Sequence, residues 1–310
     1  MHILVVNGRK VRHPVFVIGA PHSGTELVAR ALKRSTGFHV TIGQPSVTHV
    51  VYAFARRPSI SRGRQEAAAS VLRDAFAQAW RLTPDGCSVC SPACRMAGGV
   101  AAQASPGADV WGAPGADSSG ACVTEPSVAR YGDASPDLLY CAEALIDAFP
   151  DARFVQVIRD GRDVVAGMLG DSDALTAFRP GFANLDSEFP NPFLGIENET
   201  DRAGWEELSL AGKCAMRWRS AVRMSARLRY SLSSQQLTTL RYEEIVSKPD
   251  NAAGLMSEFV GARVSAIALR DPYPHRALEP GAWRRTLNSE QTTEIESIAG
   301  AELRRVGYRD

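Results

Sequence analysis

The sequence has no long hydrophobic run. No window reaches the roughly 18 uninterrupted apolar residues that identify a membrane-spanning helix, so we expect no transmembrane segment. The first apolar run, residues 3–6, is too short for the apolar core of a secretory signal. These two absences predict a soluble protein of the cytoplasm.

The sequence also lacks an excess of charge of either sign. It has 35 Lys and Arg residues against 34 Asp and Glu residues, which gives a net charge of +1 at pH 7. Nucleic acids and anionic membranes attract proteins with a strong positive field, so we expect neither as a partner. Lysine is scarce, and this scarcity is typical of a high-GC bacterial genome. The lysines are Lys10, Lys33, Lys213 and Lys248.

Two common nucleotide-binding fingerprints are missing. The GxxxxGK[ST] loop of P-loop proteins does not occur, and neither does the GxGxxG turn of dinucleotide-binding proteins. The sequence offers instead an apolar run, residues 15–18, between Pro14 and Gly19, then a loop of small residues and apolar residues at helical spacing. This pattern predicts a buried strand, a tight loop and a helix capped by Ser23 or Thr25.

Such a strand–loop–helix unit is suited to an anion. Backbone N–H groups of the loop and the N-terminus of the helix converge, and together they form a site for a phosphate or sulfate group. Gly24 allows close approach of the backbone, and Ser23 and Thr25 add hydroxyl donors. An ordinary strand-to-helix turn of an α/β protein is the alternative interpretation.

Strands and helices alternate along the rest of the chain. Residues 153–159 and 237–242 are typical of buried strands, and a helical pattern follows each of them. Such alternation builds a parallel sheet with right-handed crossovers. We therefore predict an α/β fold, a three-layer sandwich in which helices flank a central parallel sheet, with a P-loop-like first loop. Further helices are predicted over residues 64–82, 136–149, 205–226 and 289–305.

Two segments interrupt this alternation. Residues 84–122 are rich in Gly, Pro and Cys and have almost no periodicity, which predicts an insertion. Residues 170–203 are irregular as well, and we expect a variable, substrate-side segment there. With these interruptions, we assign residues 1–310 to a single domain.

The six cysteines fall into two groups. Cys141 and Cys214 lie in helical patterns and are expected to be small buried thiols. The other four follow a C-x₂-C-x₃-C pattern with one later cysteine, which is compatible with a structural zinc site of four thiolates. Because a second C-x₂-C pair is missing, thiols without a ligand remain an alternative, and no catalytic metal is expected. The four cysteines are Cys87, Cys90, Cys94 and Cys122.

The loop PHSGTEL resembles the 5′-phosphosulfate-binding loop of sulfotransferases that use 3′-phosphoadenosine 5′-phosphosulfate (PAPS). Two positions depart from that family's pattern: His22 stands where a basic residue is usual, and Glu26 where a second hydroxyl is usual. The resemblance implies that the loop binds PAPS as co-substrate. The residues it assigns to this loop are Pro21, His22, Ser23, Gly24, Thr25 and Glu26.

Three later stretches extend the resemblance. Arg159 corresponds to the strand-end arginine that binds the 3′-phosphate, and Gly167 stands where the family usually has a serine that assists it. Tyr242 corresponds to a tyrosine near the adenine, although a purely structural tyrosine is the alternative. Arg276 and Trp283 keep the spacing of a late loop that closes over the 3′-phosphate.

The resemblance also suggests catalytic roles. Members often carry a lysine about 25 residues before the strand-end arginine, where this chain has Ala134. With that cation absent, we predict that His22 contacts the sulfuryl or bridging oxygen. Asp133 is the predicted acceptor-side base, and Glu26 is the competing base. Arg162 is expected to face solvent.

The implied activity is transfer of a sulfuryl group from PAPS to a hydroxyl group, less readily to an amine. The acceptor would be a small molecule or a glycolipid-like compound of bacterial secondary metabolism, and adenosine 3′,5′-bisphosphate would be released. A homodimer is compatible with the sequence. Two alternatives stay open: a non-catalytic nucleotide-binding member of the same fold, and a P-loop kinase-like phosphotransferase.

Overall fold

A computed structural model of the protein describes residues 3–83, 86–87, 90–98, 122–123, 128–179, 188–270 and 279–309. The strands in this part of the chain are β1 (Val5–Val6), β2 (Arg9–Lys10), β3 (Val15–Gly19), β4 (Phe38–Thr41), β5 (Leu82–Thr83), β6 (Gly86–Cys87), β7 (Arg130–Asp133), β8 (Arg153–Ile158) and β9 (Leu237–Arg241). The helices are α1 (Thr25–Lys33), α2 (Pro45–Arg56), α3 (Gln65–Ala79), α4 (Pro92–Ala97), α5 (Ala142–Ala148), α6 (Gly161–Leu169), α7 (Ser172–Thr176), α8 (Glu199–Gly204), α9 (Leu210–Ser231), α10 (Tyr242–Ser247), α11 (Pro249–Val260), α12 (Ile267–Arg270), α13 (Trp283–Thr286) and α14 (Ser289–Arg305). Short 3₁₀ helices span Pro58–Ile60, Leu138–Cys141 and Trp205–Glu207.

Five strands form one parallel sheet in the order β4–β7–β3–β8–β9. The first of them in the chain, β3, lies at the centre, and β8 pairs with it along its whole length, from Val15 opposite Arg153 to Gly19 opposite Val157. Because all five strands run the same way, their carboxyl ends meet at one edge. Ligands of open α/β sheets bind at this edge.

Alternate residues of β3 face opposite sides of the sheet, as the period of a strand requires. Phe16 and Ile18 belong to one buried hydrophobic cluster and Val15 and Val17 to another. The first cluster includes α2, α3, α5, α6, α9 and α14, and the second includes α1, α11 and α12. The predicted α/β fold, with helices on both faces of a central parallel sheet, is therefore confirmed.

The predicted helices form with shifted boundaries in three places. The helix predicted over residues 64–82 is α3, which ends at Ala79, and Leu82 belongs to β5. Residues 136–149 were expected to be one helix, but Leu138–Cys141 is a 3₁₀ turn that precedes α5. The long helix α9 begins at Leu210 rather than at residue 205, because the Ser209 hydroxyl accepts a hydrogen bond from the N–H of Gly212 and caps the helix there. The terminal helix α14 has the predicted bounds.

Sequence patterns did not indicate β4, α2 or β7. The β7 segment, RYGD, contains residues that are rare in strands, but it is held between β4 and β3 by the sheet. Gly132 is required there because a Cβ atom would lie 2.5 Å from the carbonyl oxygen of Val15. Near the N-terminus, β1 and β2 form a hairpin, which is a separate two-stranded sheet.

The two interrupting segments are described only in part. Of residues 84–122, the described portion holds β6, α4 and Cys122, and of residues 170–203 it holds α7 and most of α8. In the described ranges, no helix combines the length and the apolar character that crossing a membrane requires.

Candidate functional site

The loop between β3 and α1 lies at the carboxyl edge of the sheet. The helix begins at Thr25, and Gly24 occupies the N-cap position with a φ of 96°, a conformation that favours glycine. No side chain caps this helix, so the predicted cap by Ser23 or Thr25 is wrong. The N-terminus of α1 is therefore left to a ligand, to water or to other partners.

Ser23 supplies a second sign of a polar ligand. Its side chain is 1% exposed, and its Oγ has no hydrogen-bond partner among the described residues. A buried hydroxyl without a partner is costly, by roughly 1–3 kcal/mol. Because this hydroxyl lies in the same loop as an uncapped helix N-terminus, the loop can satisfy an anion with both backbone and side-chain donors.

Arg159 follows the last residue of β8, next to the loop. It is 3% exposed, and its Nη1 donates a hydrogen bond to the carbonyl oxygen of His22 over 3.2 Å. Its guanidinium lies 4.1 Å from the ring centroid of Tyr242, a cation–π contact. A buried arginine at this edge places a permanent positive charge beside the loop.

Tyr242 begins α10, directly after β9, and it fixes the other side of the loop. A Cβ atom at Gly24 would lie only 2.3 Å from Cδ2 of Tyr242, so the ring packs on the bare backbone of the loop. Three neighbouring strands thus bring Ser23, Gly24, Arg159 and Tyr242 together, although the sequence separates them by more than 200 residues.

His22 lies against Gly167 of α6. A Cβ atom at Gly167 would be 2.9 Å from Cβ and Cγ of His22 and 3.1 Å from its Nδ1. Two of the residues that depart from the sulfotransferase pattern, His22 and Gly167, are therefore in direct contact. A serine at position 167, which the resemblance implies, would collide with the His22 ring.

The other ring nitrogen of His22 is paired. Its Nε2 donates to Oδ2 of Asp171 over 3.0 Å. Burial lowers the pKa of His22 below its ordinary value, and the Asp171 carboxylate acts in the opposite direction. In the neutral ring, the Nε2 proton belongs to the bond with Asp171, and Nδ1 beside Gly167 is the nitrogen that can still bind a proton.

The late loop is attached to the same site by Asp163. Its buried carboxylate accepts hydrogen bonds from the N–H of Gly281 over 2.7 Å and from the N–H of Trp283 over 2.8 Å. Asp163 belongs to α6, the helix that follows Arg159, so one helix connects the strand-end arginine with the late loop. Arg276 lies outside the described residues.

Trp283 and Arg162 pack together beneath this loop. The Arg162 guanidinium lies 4.2 Å from the ring centroid of Trp283, and it forms ion pairs with Asp160 over 2.8 Å and with Glu296 over 3.1 Å. The expectation that Arg162 faces solvent is therefore wrong, because these partners compensate its buried charge. The indole Nε1 of Trp283 is buried and has no partner among the described residues.

Asp133 ends β7 on the other side of β3. Its side chain is fully buried, and its carboxylate accepts hydrogen bonds from the hydroxyl of Thr41 and, over 2.7 Å, from the N–H of Ser135. Burial raises the pKa of Asp133 to about 7, although those hydrogen bonds act in the opposite direction. Ala134 is buried as well, and Glu26 on the first turn of α1 is exposed.

Two candidate functional residues, Asp163 and Asp171, were not predicted from the sequence. Both carboxylates act on residues far away in the chain, Asp163 on the late loop and Asp171 on His22. Asp163 follows the strand-end arginine by four residues, and that spacing could have indicated a residue on the first turn of the next helix. Nothing in the sequence pattern indicates the pairing of Asp171.

A model of the sulfotransferase family matches residues 14–183, just over half of the chain. The chain belongs to the sulfotransferase family. The matching part of this sulfotransferase begins at β3 and includes the loop, β8 and α6, and thus His22, Arg159 and Gly167.

This sulfotransferase is also similar to several solved structures at low sequence identity. No curated protein matches its sequence. Among solved structures, it is similar to a sulfotransferase of Mycobacterium avium, with 13% identity, coverage of 95% of this chain and 77% of that chain, and a TM-score of 0.47. It is also similar to a sulfotransferase of Alicyclobacillus acidocaldarius, with 17% identity, coverage of 97% of both chains, and a TM-score of 0.45. A third similar structure is retinol dehydratase in complex with androsterone and the inactive cofactor PAP. It has 12% identity, coverage of 94% of this chain and 80% of that chain, and a TM-score of 0.39.

Proposed function

We propose that this sulfotransferase transfers a sulfuryl group from PAPS to a hydroxyl group of a small-molecule or glycolipid-like acceptor. The observation that supports the proposal most is the convergence of the loop and Arg159 at one edge of the sheet. Ser23 and Arg159 follow different strands, β3 and β8, yet the Arg159 guanidinium donates a hydrogen bond to the loop backbone at His22. PAPS supplies the sulfuryl group and presents two anionic groups, and this site offers donors for both.

The loop is suited to the 5′-phosphosulfate end of PAPS. The N-terminus of α1 carries a partial positive charge, no side chain caps it, and the buried Ser23 hydroxyl has no partner among the described residues. These donors are fixed before the ligand arrives, so they stabilise charge on the transferring group without reorganisation.

Arg159 is suited to the 3′-phosphate, because a planar guanidinium can bind phosphate through two hydrogen bonds. Tyr242 holds one face of that guanidinium, and Asp163 holds the late loop nearby. A hydrogen bond to a charged group contributes about 1.5–3 kcal/mol. Arg159 and the backbone of the loop are therefore sufficient to distinguish PAPS from a nucleotide that lacks the 3′-phosphate.

We also propose that the His22 ring takes the place of the serine that is absent at position 167. Its Nδ1 lies 3.1 Å from the position that a Cβ atom of residue 167 would occupy. A phosphate dianion beside this nitrogen favours the protonated ring, which then donates from Nδ1 while Nε2 stays bonded to Asp171. This role differs from the one predicted from the sequence, in which His22 contacts the sulfuryl or bridging oxygen.

Removal of the ring distinguishes the two roles of His22. If His22 serves the 3′-phosphate, His22→Ala weakens binding of adenosine 3′,5′-bisphosphate about tenfold and leaves binding of 5′-AMP unchanged. If His22 serves the sulfuryl group, the same change lowers kcat and leaves both affinities near the wild-type values. If His22→Ala weakened binding of adenosine 3′,5′-bisphosphate and of 5′-AMP equally, both roles would be contradicted. The result would instead indicate a changed conformation of the loop.

Asp133 stays a proposed base for the acceptor hydroxyl, with Glu26 as its competitor. A carboxyl group with a pKa near 7 can accept a proton at neutral pH. Its hydrogen bonds to Thr41 and Ser135 instead suit a role in holding the end of β7. Asp133→Asn should lower kcat with little change in nucleotide affinity if it is the base, whereas a structural role predicts that both change together.

A non-catalytic nucleotide-binding member of the family is the second candidate. It is favoured by three departures from the family pattern, at His22, Ala134 and Gly167. A kinase-like activity has less support, because the lysine of the GxxxxGK[ST] loop is missing.

An assay of sulfuryl transfer tests the proposal. The protein is incubated with PAPS and a panel of alcohols, phenols, sugars, glycolipids and amines, and adenosine 3′,5′-bisphosphate is measured with and without each acceptor. We expect release that depends on a hydroxyl-bearing acceptor and is lost in Arg159→Ala. Tight nucleotide binding without transfer across the panel would support the non-catalytic candidate, and transfer of phosphate from ATP with magnesium would contradict the sulfuryl-transfer proposal.

A further inference from the structure

Four cysteines meet at the outer edge of the sheet, beside β4. Cys87 ends the β5–β6 hairpin, Cys90 and Cys94 lie before and on α4, and Cys122 follows from the far end of the insertion. Their four Sγ atoms all lie within 4.8 Å of one another. The short spacing of the first three is local, but Cys122 joins them from about 30 residues away.

The arrangement of the sulfurs suits one metal ion. Four thiolates at about 2.3 Å from a tetrahedral zinc ion lie about 3.8 Å from each other. The Sγ of Cys122 is 2.9 Å from that of Cys87 and 3.3 Å from that of Cys90, and all pairs fall below 4.8 Å. A cluster of several irons would hold its thiolates farther apart, because the metals lie between them.

The same contacts do not correspond to a pair of disulfides. Cys122 approaches two different cysteines, whereas a disulfide joins only two sulfurs, about 2.05 Å apart. None of the six cysteines, all of which lie in the described residues, forms a disulfide. Four sulfurs that lie this close together, two of them near the same Cys122 Sγ, are arranged to bind one common metal ion.

The surroundings of the cluster are suited to a negatively charged tetrathiolate site. Cys94 is fully buried in the hydrophobic cluster that lies between the sheet and α1. The buried ammonium of Lys33 lies beside Cys94 and donates to the carbonyl oxygen of Val40 over 2.9 Å. Four thiolates and one Zn²⁺ carry a formal charge of −2, and a buried cation next to them offsets part of it.

Polar contacts join the cysteine segment to the core of the protein. The Ser91 hydroxyl donates to the carbonyl oxygen of Ile42 and accepts from the N–H of Cys94 over 3.0 Å. Arg34, at the end of α1, donates to the carbonyl oxygen of Ala97 over 2.9 Å. The cluster therefore lies at the junction of the insertion with β4 and α1, the helix that begins at the phosphosulfate-type loop.

We propose that Cys87, Cys90, Cys94 and Cys122 bind one structural zinc ion, which fastens both ends of the insertion to the edge of the sheet. The ion is bound by four thiolates and has no open coordination position, so it takes no part in chemistry. The proposed zinc site is separate from the nucleotide site. Sulfuryl transfer therefore needs no contribution from the zinc ion to the chemical step. Each thiol releases its proton to solvent when the zinc binds.

Metal analysis of the purified full-length protein tests this proposal. Elemental mass spectrometry should find one zinc per chain in the wild type and in the control variants Cys141→Ala and Cys214→Ala, whose thiols are buried elsewhere. Cys90→Ala and Cys122→Ala should hold far less than one zinc per chain. Iron at one atom per chain would overturn the assignment to zinc.

A second measurement covers the case in which the cysteine variants fail to fold. A mercurial reagent added to the wild-type protein should release one zinc as four thiols react, and a cobalt-substituted sample should show the visible absorption of tetrahedral thiolate coordination. Removal of the metal with a strong chelator should lower Tm, because an ion bound only to the folded state stabilises it. Six free thiols without any metal, or a disulfide between Cys87 and Cys122, would overturn the proposal.

Discussion

The two sides of the central strand β3 differ in how their polar groups are satisfied. On the side of β8 and β9, Arg159 and Tyr242 frame a loop whose buried Ser23 hydroxyl has no partner among the described residues. On the side of β7 and β4, the buried carboxylate of Asp133 is bonded to Thr41 and Ser135. The first side is arranged for an anionic ligand, whereas on the second side the Asp133 carboxylate already has hydrogen-bond partners within the protein.

On the side of β8 and β9, loss of the strand-end arginine should lower nucleotide affinity more than any other change considered. We expect Arg159→Ala to weaken adenosine 3′,5′-bisphosphate about 100-fold, since a charged hydrogen bond contributes about 1.5–3 kcal/mol and the guanidinium can make two. Isothermal titration measures the change. Arg229→Ala, which removes an exposed arginine of α9, is the matched control. An affinity within twofold of the wild type would show that the 3′-phosphate lies elsewhere.

Weakening the hydrogen bonds by which Asp163 holds the late loop should have the next largest effect on nucleotide affinity. In Asp163→Asn, one of the two backbone N–H donors of Gly281 and Trp283 would face an amide NH₂ instead of a carboxylate oxygen. We expect about a tenfold loss of nucleotide affinity and about 1–3 kcal/mol of stability, the usual cost of an unsatisfied buried group. Calorimetry and thermal unfolding measure both, with the exposed Asp147→Asn as control. Unchanged affinity would mean that the late loop does not contact the nucleotide.

The contact between His22 and Gly167 can be tested by a double-mutant cycle. Gly167→Ser alone should weaken nucleotide binding severalfold, because the new side chain enters the space of the His22 ring. In the His22→Ala background, the same serine has room and should restore affinity. We expect an interaction energy of about 1–2 kcal/mol between the two sites. Additive effects would mean that the two departures from the family pattern are unrelated.

On the other side of β3, Asp133 should affect stability in a way that depends on pH. Its folded pKa of about 7 lies above its unfolded value, so the folded protein holds the proton more tightly, and stability falls as pH rises from about 4 to about 7. Asp133→Asn should reduce this decline by on the order of 1 kcal/mol, or about 2–4 °C in Tm at pH 7. Parallel wild-type and mutant profiles would contradict the buried, protonated carboxyl group.

The two sides also differ in how far the sequence predicts them. The loop is contiguous, and β3, β8 and β9 consist mainly of apolar and β-branched residues, so the pattern predicted these strands and the resemblance indicated Ser23, Gly24, Arg159 and Tyr242. The β7 strand contains Arg130, Gly132 and Asp133, and only pairing with its neighbours makes it a strand.

Contacts between distant residues explain what the sequence could not predict. The burial of Arg162 depends on Glu296 in the last helix, and the contact of His22 with Gly167 depends on how α6 packs beside the loop. Spacing predicted a possible site of Cys87, Cys90, Cys94 and Cys122, and the fold brings Cys122 within reach of the other three. Tertiary packing decides each of these features.

Thermal unfolding with nucleotides tests the central claim most directly. The wild-type protein is heated with adenosine 3′,5′-bisphosphate, with 5′-AMP, and with ATP and magnesium at equal concentrations. A ligand that binds only the folded state must raise Tm. We expect the rise in Tm with adenosine 3′,5′-bisphosphate to exceed the rise with 5′-AMP and to disappear in Arg159→Ala. A larger rise with ATP and magnesium, or none with adenosine 3′,5′-bisphosphate, would contradict it.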